Sequence, residues 1–201
     1  FDFHDSISSE VVPLLEELAE NRKAQLNVDA LRPWDKAVDT EGRPALKAFD
    51  GGKDLTEKSI ETFKRLNPFL GQCLNIMNKM GHLDLESRKG KAPGGYNYPL
   101  AEIGVPFIFM NAVGTHSDVQ TLLHEAGHAF HVCESAQLPY AQQLSVDTEF
   151  AEVASMGMEF IGHKYLDSSN GGYYSPEDAC RARIEHIEKC ILFWPYMAVV
   201  D

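Results

Sequence analysis

Apolar residues recur every three or four positions in several windows of the chain, and this period predicts a mainly α-helical protein. The first window has its apolar residues at Val11, Leu14, Leu15, Leu18 and Leu26. A second window covers residues 55–66 and a third covers residues 69–80. Asn67-Pro68 separates these two, because a residue before proline avoids the helical conformation. Both later windows are predicted to be helices that turn an apolar face to the core.

Two segments lack this helical period. Residues 28–54 contain Pro33, Pro44 and three glycines, so they are predicted to form a long connection. Residues 105–111 are instead mostly apolar and aromatic, which predicts a β-strand. Pro106 has no N–H for strand pairing, so we place it first in that strand or at the edge of a sheet.

Three polar segments carry the signals of helix starts. Residues 115–118 predict an N-cap for a helix that runs to about Ser135, and Asp147 predicts one for a helix to about residue 166. Residues 175–178 read Ser-Pro-Glu-Asp, which is typical of the start of a further helix. That helix has no stop signal and Phe1 is not an initiator methionine, so we expect a piece of a longer protein, truncated at both ends.

The composition narrows the class of protein. With 201 residues, of which 44% are hydrophobic, the chain is long and apolar enough for a folded core. Its net charge of −12 and its lack of basic clusters argue against nucleic acid or a membrane as the main partner. Four cysteines without a Cys-x-x-Cys spacing predict reduced thiols and a cytoplasmic location. The chain has no apolar run of about 18 residues, so no membrane-spanning helix is predicted.

The sharpest chemical signal is the motif His124-Glu125-Ala126-Gly127-His128. Histidines four residues apart lie on one face of a helix and can share one metal ion, for which zinc is well suited. Glu125 can then take the proton of a zinc-bound water and activate it for hydrolysis. The alternative is a pair of buried histidines that only satisfy each other by hydrogen bonding.

A three-ligand site needs one more donor, and the sequence offers several candidates. His131 lies on nearly the same helix face as His124, but a third ligand from one helix would crowd a tetrahedral ion, so we expect His131 in the core or beside a ligand. On the next predicted helix, Glu149 and Glu152 are three residues apart, and spacing alone does not separate them. The alternative for either carboxylate is an ordinary solvated helix face. Glu159 is a candidate to orient a ligating histidine.

Residues 121–131 and 150–156 resemble the two zinc-binding helices of a known family, the zinc metallopeptidases of the oligoendopeptidase F and thimet oligopeptidase kind. Residues 90–96 are similar to the glycine-rich loop of that family, and residues 106–111 are similar to its substrate-side strand. A less specific likeness is found at residues 31–35. The resemblance runs from about residue 8 to the end of the chain.

The resemblance implies a zinc site with one ion per chain, held by His124, His128 and Glu152, with Glu125 as the general base. It implies a zincin-like, mainly helical catalytic domain with a small β-sheet beside the active-site helix. Residues 1–201 are then part of this domain, with a helical N-terminal part at 1–87 and the zinc-site part at 88–201.

The implied activity is that of a zinc-dependent metalloendopeptidase that cleaves short oligopeptides inside a deep channel. An extended peptide can pair with an exposed strand edge, which we expect at residues 107–110. The residues expected to bind substrate are Gly94, Gly95, Tyr96, Phe107, Ile108 and Phe109.

One departure from the family pattern bears on activity. Family members carry a cluster of His and Tyr after the second zinc helix that looks suited to stabilising the oxyanion. This chain has several His and Tyr residues after the second zinc helix, but they do not match that cluster: His163, Tyr165, Tyr173, Tyr174 and His186. Loss of one oxyanion donor typically costs about 10² to 10³ in rate. The alternative is therefore a zinc-binding but non-catalytic fragment, and a third interpretation is a metal-free helical domain that binds another protein.

Overall fold

The fold comes from a computed structural model that describes residues 2–200, excepting the side chains of residue 37 and of residues 192–200. The helices are α1 (Asp2–Ser6), α2 (Val12–Leu26), α3 (Gly51–Leu66), α4 (Pro68–Lys79), α5 (His116–Ser135), α6 (Thr148–Gly162) and α7 (Pro176–Val200). The strands are β1 (Leu83–Glu86), β2 (Tyr96–Tyr98) and β3 (Phe107–Ala112). The predicted fold class, mainly helical with a small sheet, is confirmed. Within residues 2–200, none of the helices combines the length and the apolar composition that crossing a membrane requires.

The chain divides into two compact units. One comprises Phe1–Ala45 together with Cys180–Asp201, and the other comprises Leu46–Ala179. The second unit contains the sheet and helices α3 to α6, and with them every candidate site residue. The predicted division into a helical N-terminal part at 1–87 and a zinc-site part at 88–201 stays a prediction.

Strand β3 is the central strand of the sheet, whose order is β1-β3-β2. It pairs in parallel with β1, where Leu83 lies opposite Ile108, and antiparallel with β2, where Asn97 lies opposite the same residue. The prediction of an exposed edge at residues 107–110 is therefore wrong, because both sides of β3 carry a partner strand. Pro106 lies immediately before β3, one residue earlier than the predicted first position of the strand.

Helix α3 begins within the predicted long connection, at Gly51. Two carboxylates stabilise this start. The Glu86 carboxylate accepts the N–H of Gly52 at 2.6 Å, and the Asp54 carboxylate accepts that of Asp50 at 2.9 Å. Acceptors at a helix N-terminus satisfy N–H groups that have no partner within the helix. Glu86 belongs to β1 and is distant in the sequence. The segment around the two glycines therefore gives no local signal that a helix starts there.

The other helices follow their sequence signals closely. The break between α3 and α4 falls at Asn67, as predicted. Helix α5 begins after Thr115, whose N–H donates to the Asp118 carboxylate at 2.8 Å. Helix α6 ends at Gly162, a few residues before its predicted end, because the chain tightens there into a 3₁₀ turn over His163–Tyr165.

The core of the Leu46–Ala179 unit fixes the helix that carries the motif. Its fully buried side chains include Leu55, Phe63, Leu74, Met77, Ile108, Met110, Leu122 and Leu123. Phe63 of α3 packs edge-on against Phe130 of α5, with ring centroids 4.8 Å apart. This packing holds α5 against α3 two residues beyond the motif.

We expect Phe63→Ala to lower the free energy of unfolding by about 3–5 kcal/mol, because it removes a fully buried ring and leaves a cavity. Phe69→Ala is the matched control, since the Phe69 side chain on α4 is 37% exposed and its loss is expected to cost much less. Urea denaturation measures both variants. Equal losses would contradict the placement of Phe63 in the core.

Candidate metal centre

Helices α5 and α6 bring three potential metal ligands together. One donor atom from each of His124, His128 and Glu152 can be chosen so that all lie within 4.8 Å of one another. His124 Nε2 is 3.2 Å from one carboxylate oxygen of Glu152, and His128 Nε2 is 3.6 Å from the other. Since the histidines are about one helical turn apart, one face of α5 supplies both imidazoles, and α6 supplies the carboxylate across from them.

The chemistry of these donors fits a metal ion. Two imidazoles and one carboxylate form a ligand set that zinc accepts in catalytic sites. The Glu152 side chain is 40% exposed, so the cluster is open to solvent. Among the residues that the structure describes, no fourth histidine, cysteine or carboxylate joins the cluster. Structural zinc sites are closed by four protein ligands, whereas catalytic sites keep one position open, so the arrangement fits the catalytic kind.

Gly127 allows α5 and α6 to approach closely enough for this arrangement. A Cβ atom at residue 127 would lie 2.6 Å from Ser155 Cα and 2.7 Å from the Ala154 carbonyl oxygen. Both are backbone atoms, so whole helices rather than one flexible side chain would have to move. Gly127 lies between the motif histidines, and Ser155 lies about one turn after Glu152. The contact therefore sets the distance between the ligands themselves.

Two further side chains of α6 orient the ligands. Glu159 accepts a hydrogen bond from His124 Nδ1 at 2.8 Å, which leaves Nε2, the nitrogen that faces Glu152, free to bind a cation. The Ser155 hydroxyl donates to the Glu152 carboxylate at 2.7 Å, and Ser155 is fully buried. The sequence predicts Glu159 for a contact of this kind. Ser155 is missed, and its place three residues after Glu152 is the only signal that could have found it.

The carboxylates around His124 favour a positive charge at the cluster. Burial by itself would lower the pKa of His124, but the hydrogen bond to Glu159 and the charges of Glu159 and Glu152 outweigh it and raise that pKa. For His128, burial is the main cause and lowers the pKa, while the charge of Glu152 acts to raise it. A neutral imidazole is the form that binds a metal ion.

Glu125 is buried beside the glycine-rich segment. Glu125 is only 7% exposed, and this burial is the main cause that raises the pKa of its carboxyl group. The nearby backbone of Asn97 in β2 opposes this shift of the pKa. A Cβ atom at Gly95 would lie 3.5 Å from Glu125 Oε1. A carboxylate whose pKa is raised lies nearer the range in which general bases work.

The predicted substrate residues lie along β2, β3 and the segment before them. Ile108 is fully buried, so its side chain packs in the core and is not available to a substrate. Tyr96 is 48% exposed and stacks on Phe109, with ring centroids 4.9 Å apart. The exposed or half-buried members of the set also include Gly94, Gly95 and Phe107.

His131 and Glu149 lie outside the ligand cluster. His131 lines a cavity of about 470 Å³ together with Phe150 and Val153 of α6. Glu149 is exposed. Spacing left the choice between Glu149 and Glu152 open, and the fold brings Glu152 to the histidines.

Comparisons with known proteins agree on one family. The sequence model of peptidase family M3 matches residues 1–194. The oligoendopeptidase F homolog of Mycoplasma pneumoniae is 27% identical over 169 residues, which cover 82% of this chain and 26% of the relative. The solved structure of PZ peptidase A with inhibitor 2 matches with a TM-score of 0.88 at 31% identity, covering 99% of this chain and 34% of that one.

A second solved structure, assigned as an oligoendopeptidase F from Bacillus anthracis strain Ames, matches with the same TM-score of 0.88 at 29% identity. The match covers 98% of this chain and 35% of that one. The chain thus spans about a quarter of the curated relative and about a third of each solved structure.

We expect Gly127→Ala to destabilise the fold and to weaken metal binding, because the added Cβ overlaps the backbone of α6. Overpacking of this kind typically costs about 1–3 kcal/mol. Gly157→Ala is the matched control: a Cβ there meets no described heavy atom within 4 Å, and alanine stabilises a helix interior by about 0.5–1 kcal/mol relative to glycine. Urea denaturation and zinc titration compare the two variants. If both behaved alike, α5 and α6 would not meet at Gly127.

Proposed function

We propose that this chain, which belongs to peptidase family M3, supplies the metal ligands and the proton acceptor of a zinc-dependent metalloendopeptidase that hydrolyses short oligopeptides. The observation that carries the proposal is the convergence of His124, His128 and Glu152 within 4.8 Å, with the buried Glu125 adjacent in the motif. The names of the relatives, oligoendopeptidase F and PZ peptidase A, describe peptidases and support this substrate class.

Each residue of the site has one task in this proposal. His124, His128 and Glu152 hold the zinc ion, and Glu159 keeps His124 in the tautomer that leaves Nε2 free. Bound zinc acts as a Lewis acid and lowers the pKa of a water to about 7. Glu125 accepts the proton of the water that attacks the peptide carbonyl carbon. It then returns this proton to the leaving amine nitrogen as the C–N bond breaks.

The substrate is expected along the outer edge of β2, which is an edge strand of the sheet. Gly95, which directly precedes β2, lies beside Glu125: a Cβ atom there would be 3.5 Å from Glu125 Oε1, so the strand begins next to the base. A peptide that pairs with the edge gains main-chain hydrogen bonds without any requirement on its side chains, which predicts broad sequence tolerance. Tyr96, Gly94 and Gly95 lie beside this path and are exposed.

The cysteines support a reducing location such as the cytoplasm for the protein. Cys73, Cys133 and Cys180 are thiols that form no disulfide. Disulfides persist mainly in oxidising compartments, so free thiols are what a cytoplasmic protein is expected to have.

The alternative is a chain that binds zinc without hydrolysing peptides on its own. The chain covers only about a third of the solved relative. This favours the alternative, because groups that stabilise the oxyanion can belong to the rest of such proteins. Metal analysis of the purified chain, beside hydrolysis of a quenched fluorescent peptide mixture with and without a chelator, separates the two. Bound zinc with chelator-sensitive cleavage supports the peptidase, and bound zinc without cleavage supports the alternative.

We expect Glu125→Gln to keep the zinc and to lose about 10²- to 10⁴-fold in kcat/KM, because the ligands are unchanged while the proton acceptor is gone. Glu134→Gln is the control, since Glu134 is an exposed carboxylate on the same helix. Elemental analysis and peptide hydrolysis measure both variants. Activity retained in Glu125→Gln would remove this residue from the mechanism.

We expect Glu159→Gln to weaken zinc binding about 10- to 100-fold, because the amide no longer holds the His124 ring as a carboxylate does. Glu152→Gln is expected to abolish tight zinc binding, since it removes a ligand. Glu149→Gln is the control on the same helix, and its zinc affinity is expected to match that of the unaltered chain. Calorimetric zinc titration tests all three, and an equal loss in Glu149→Gln would count against the assigned ligand set.

A further inference from the structure

The glycine-rich loop, residues 90–95, is mostly exposed, yet a side chain outside it holds its backbone. Asn111, near the end of β3, donates hydrogen bonds from Nδ2 to the carbonyl oxygens of Ala92 and Gly94, at 2.8 and 2.9 Å. A side-chain amide nitrogen carries two hydrogens. Asn111 therefore uses its whole donor capacity on this loop.

Lys91 anchors the start of the same loop. Its side chain is 1% exposed, and Nζ donates to the carbonyl oxygens of Asp84 and Glu86 at 2.9 and 2.7 Å. Nζ also pairs with the Asp84 carboxylate at 3.0 Å and lies 4.5 Å from the centroid of the Phe109 ring. A buried ammonium group with these partners fixes the point at which the loop leaves the sheet.

The far end of the loop meets the proposed base. A Cβ atom at Gly95 would lie 3.2 Å from Thr121 Cγ2 and 3.5 Å from Glu125 Oε1, so only a residue without a side chain fits there without displacement. Two residues further on, the backbone of Asn97 lies near the Glu125 carboxylate and acts to lower its pKa. The position of the loop thus decides what surrounds this carboxylate.

The sequence of the loop does not impose this position. Gly90 and Gly94 have φ values of +85° and +100°, which suit glycine, and glycine loses more backbone freedom on folding than other residues. Order in the loop must therefore come from side-chain contacts that join it to the sheet.

We infer that Asn111 is a positioning residue that acts on Glu125 through the glycine-rich loop. Its two hydrogen bonds fix the loop, and the loop in turn places Gly95, and the β2 backbone that follows it, beside the carboxylate. The catalytic meaning of this arrangement rests on the proposed function, whereas the coupling between Asn111 and the loop can be tested without any activity.

Asn111→Asp is the test, because the carboxylate keeps the shape of the side chain but has no hydrogen to donate to the two carbonyl oxygens. The matched control is Asn170→Asp, which removes a similar bond, 3.3 Å from Nδ2 to the Lys164 carbonyl oxygen. Amide hydrogen exchange of residues 94–98 is followed by mass spectrometry in the purified chain. We expect exchange there to be about tenfold or more faster in Asn111→Asp than in the control, because two hydrogen bonds are lost.

Two outcomes of this comparison would overturn the inference. One is equal exchange at residues 94–98 in the two variants, which would mean that Asn111 does not order the loop. The other is a uniform increase across residues 46–179, which would mean that the substitution lowers stability in general.

Lys91→Met provides an independent test if Asn111→Asp does not fold. Its control is Arg88→Met, because Arg88 pairs with the same Asp84 carboxylate at 2.6 Å but is exposed. We expect faster exchange at residues 94–98 in Lys91→Met alone. Equal exchange in the two variants would overturn the idea that the loop depends on side-chain contacts with the sheet.

Peptide hydrolysis tests whether the position of the loop affects the work of Glu125 as the base. With zinc affinity unchanged, we expect Asn111→Asp to lower kcat about 10- to 100-fold, since a small misplacement of a catalytic group is costly. An unchanged kcat would overturn the catalytic part of the inference. If Glu125→Gln left hydrolysis intact, the proposed function would fail, but the exchange result would still decide whether Asn111 orders the loop.

Discussion

The close contact of α5 and α6 at Gly127 is the constraint on which the rest of the site depends. A side chain at this point would separate the two helices, and the Glu152 carboxylate would no longer reach the histidines. Glu152, Ser155 and Glu159 are spaced by three and four residues, so they share one face of α6. That face presents a ligand, the hydroxyl that orients it and the carboxylate that holds His124.

This closeness also concentrates charge in a partly buried place. A buried carboxylate is costly unless it is paired, and here the buried Glu159 and the partly exposed Glu152 both lie beside the His124 ring. A positive charge at the cluster, either a proton on His124 or a metal ion, offsets that cost. The site is therefore arranged to hold a cation, and the hydrogen bond to Glu159 decides which imidazole nitrogen faces it.

Strand β3 links the core to the proposed base because its side chains alternate between two surroundings. Ile108, Met110 and Ala112 are buried. Phe109 and Asn111 alternate with them and contact the glycine-rich loop, Phe109 through Lys91 Nζ, 4.5 Å from its ring centroid, and Asn111 by hydrogen bonds. One strand thus serves both the core and the loop that meets Glu125.

Local patterns are sufficient to predict the helices and the histidine pair, because a spacing of three or four residues is a property of the helix itself. They are not sufficient to choose between Glu149 and Glu152, to find β1 and β2, which have four and three residues, or to place β3 at the centre of the sheet. Ser155 and the backbone of Asn97 are likewise hidden, since neither carries a motif. These features depend on which segments meet in space. Contacts between residues far apart in the sequence decide them, and no local period records such contacts.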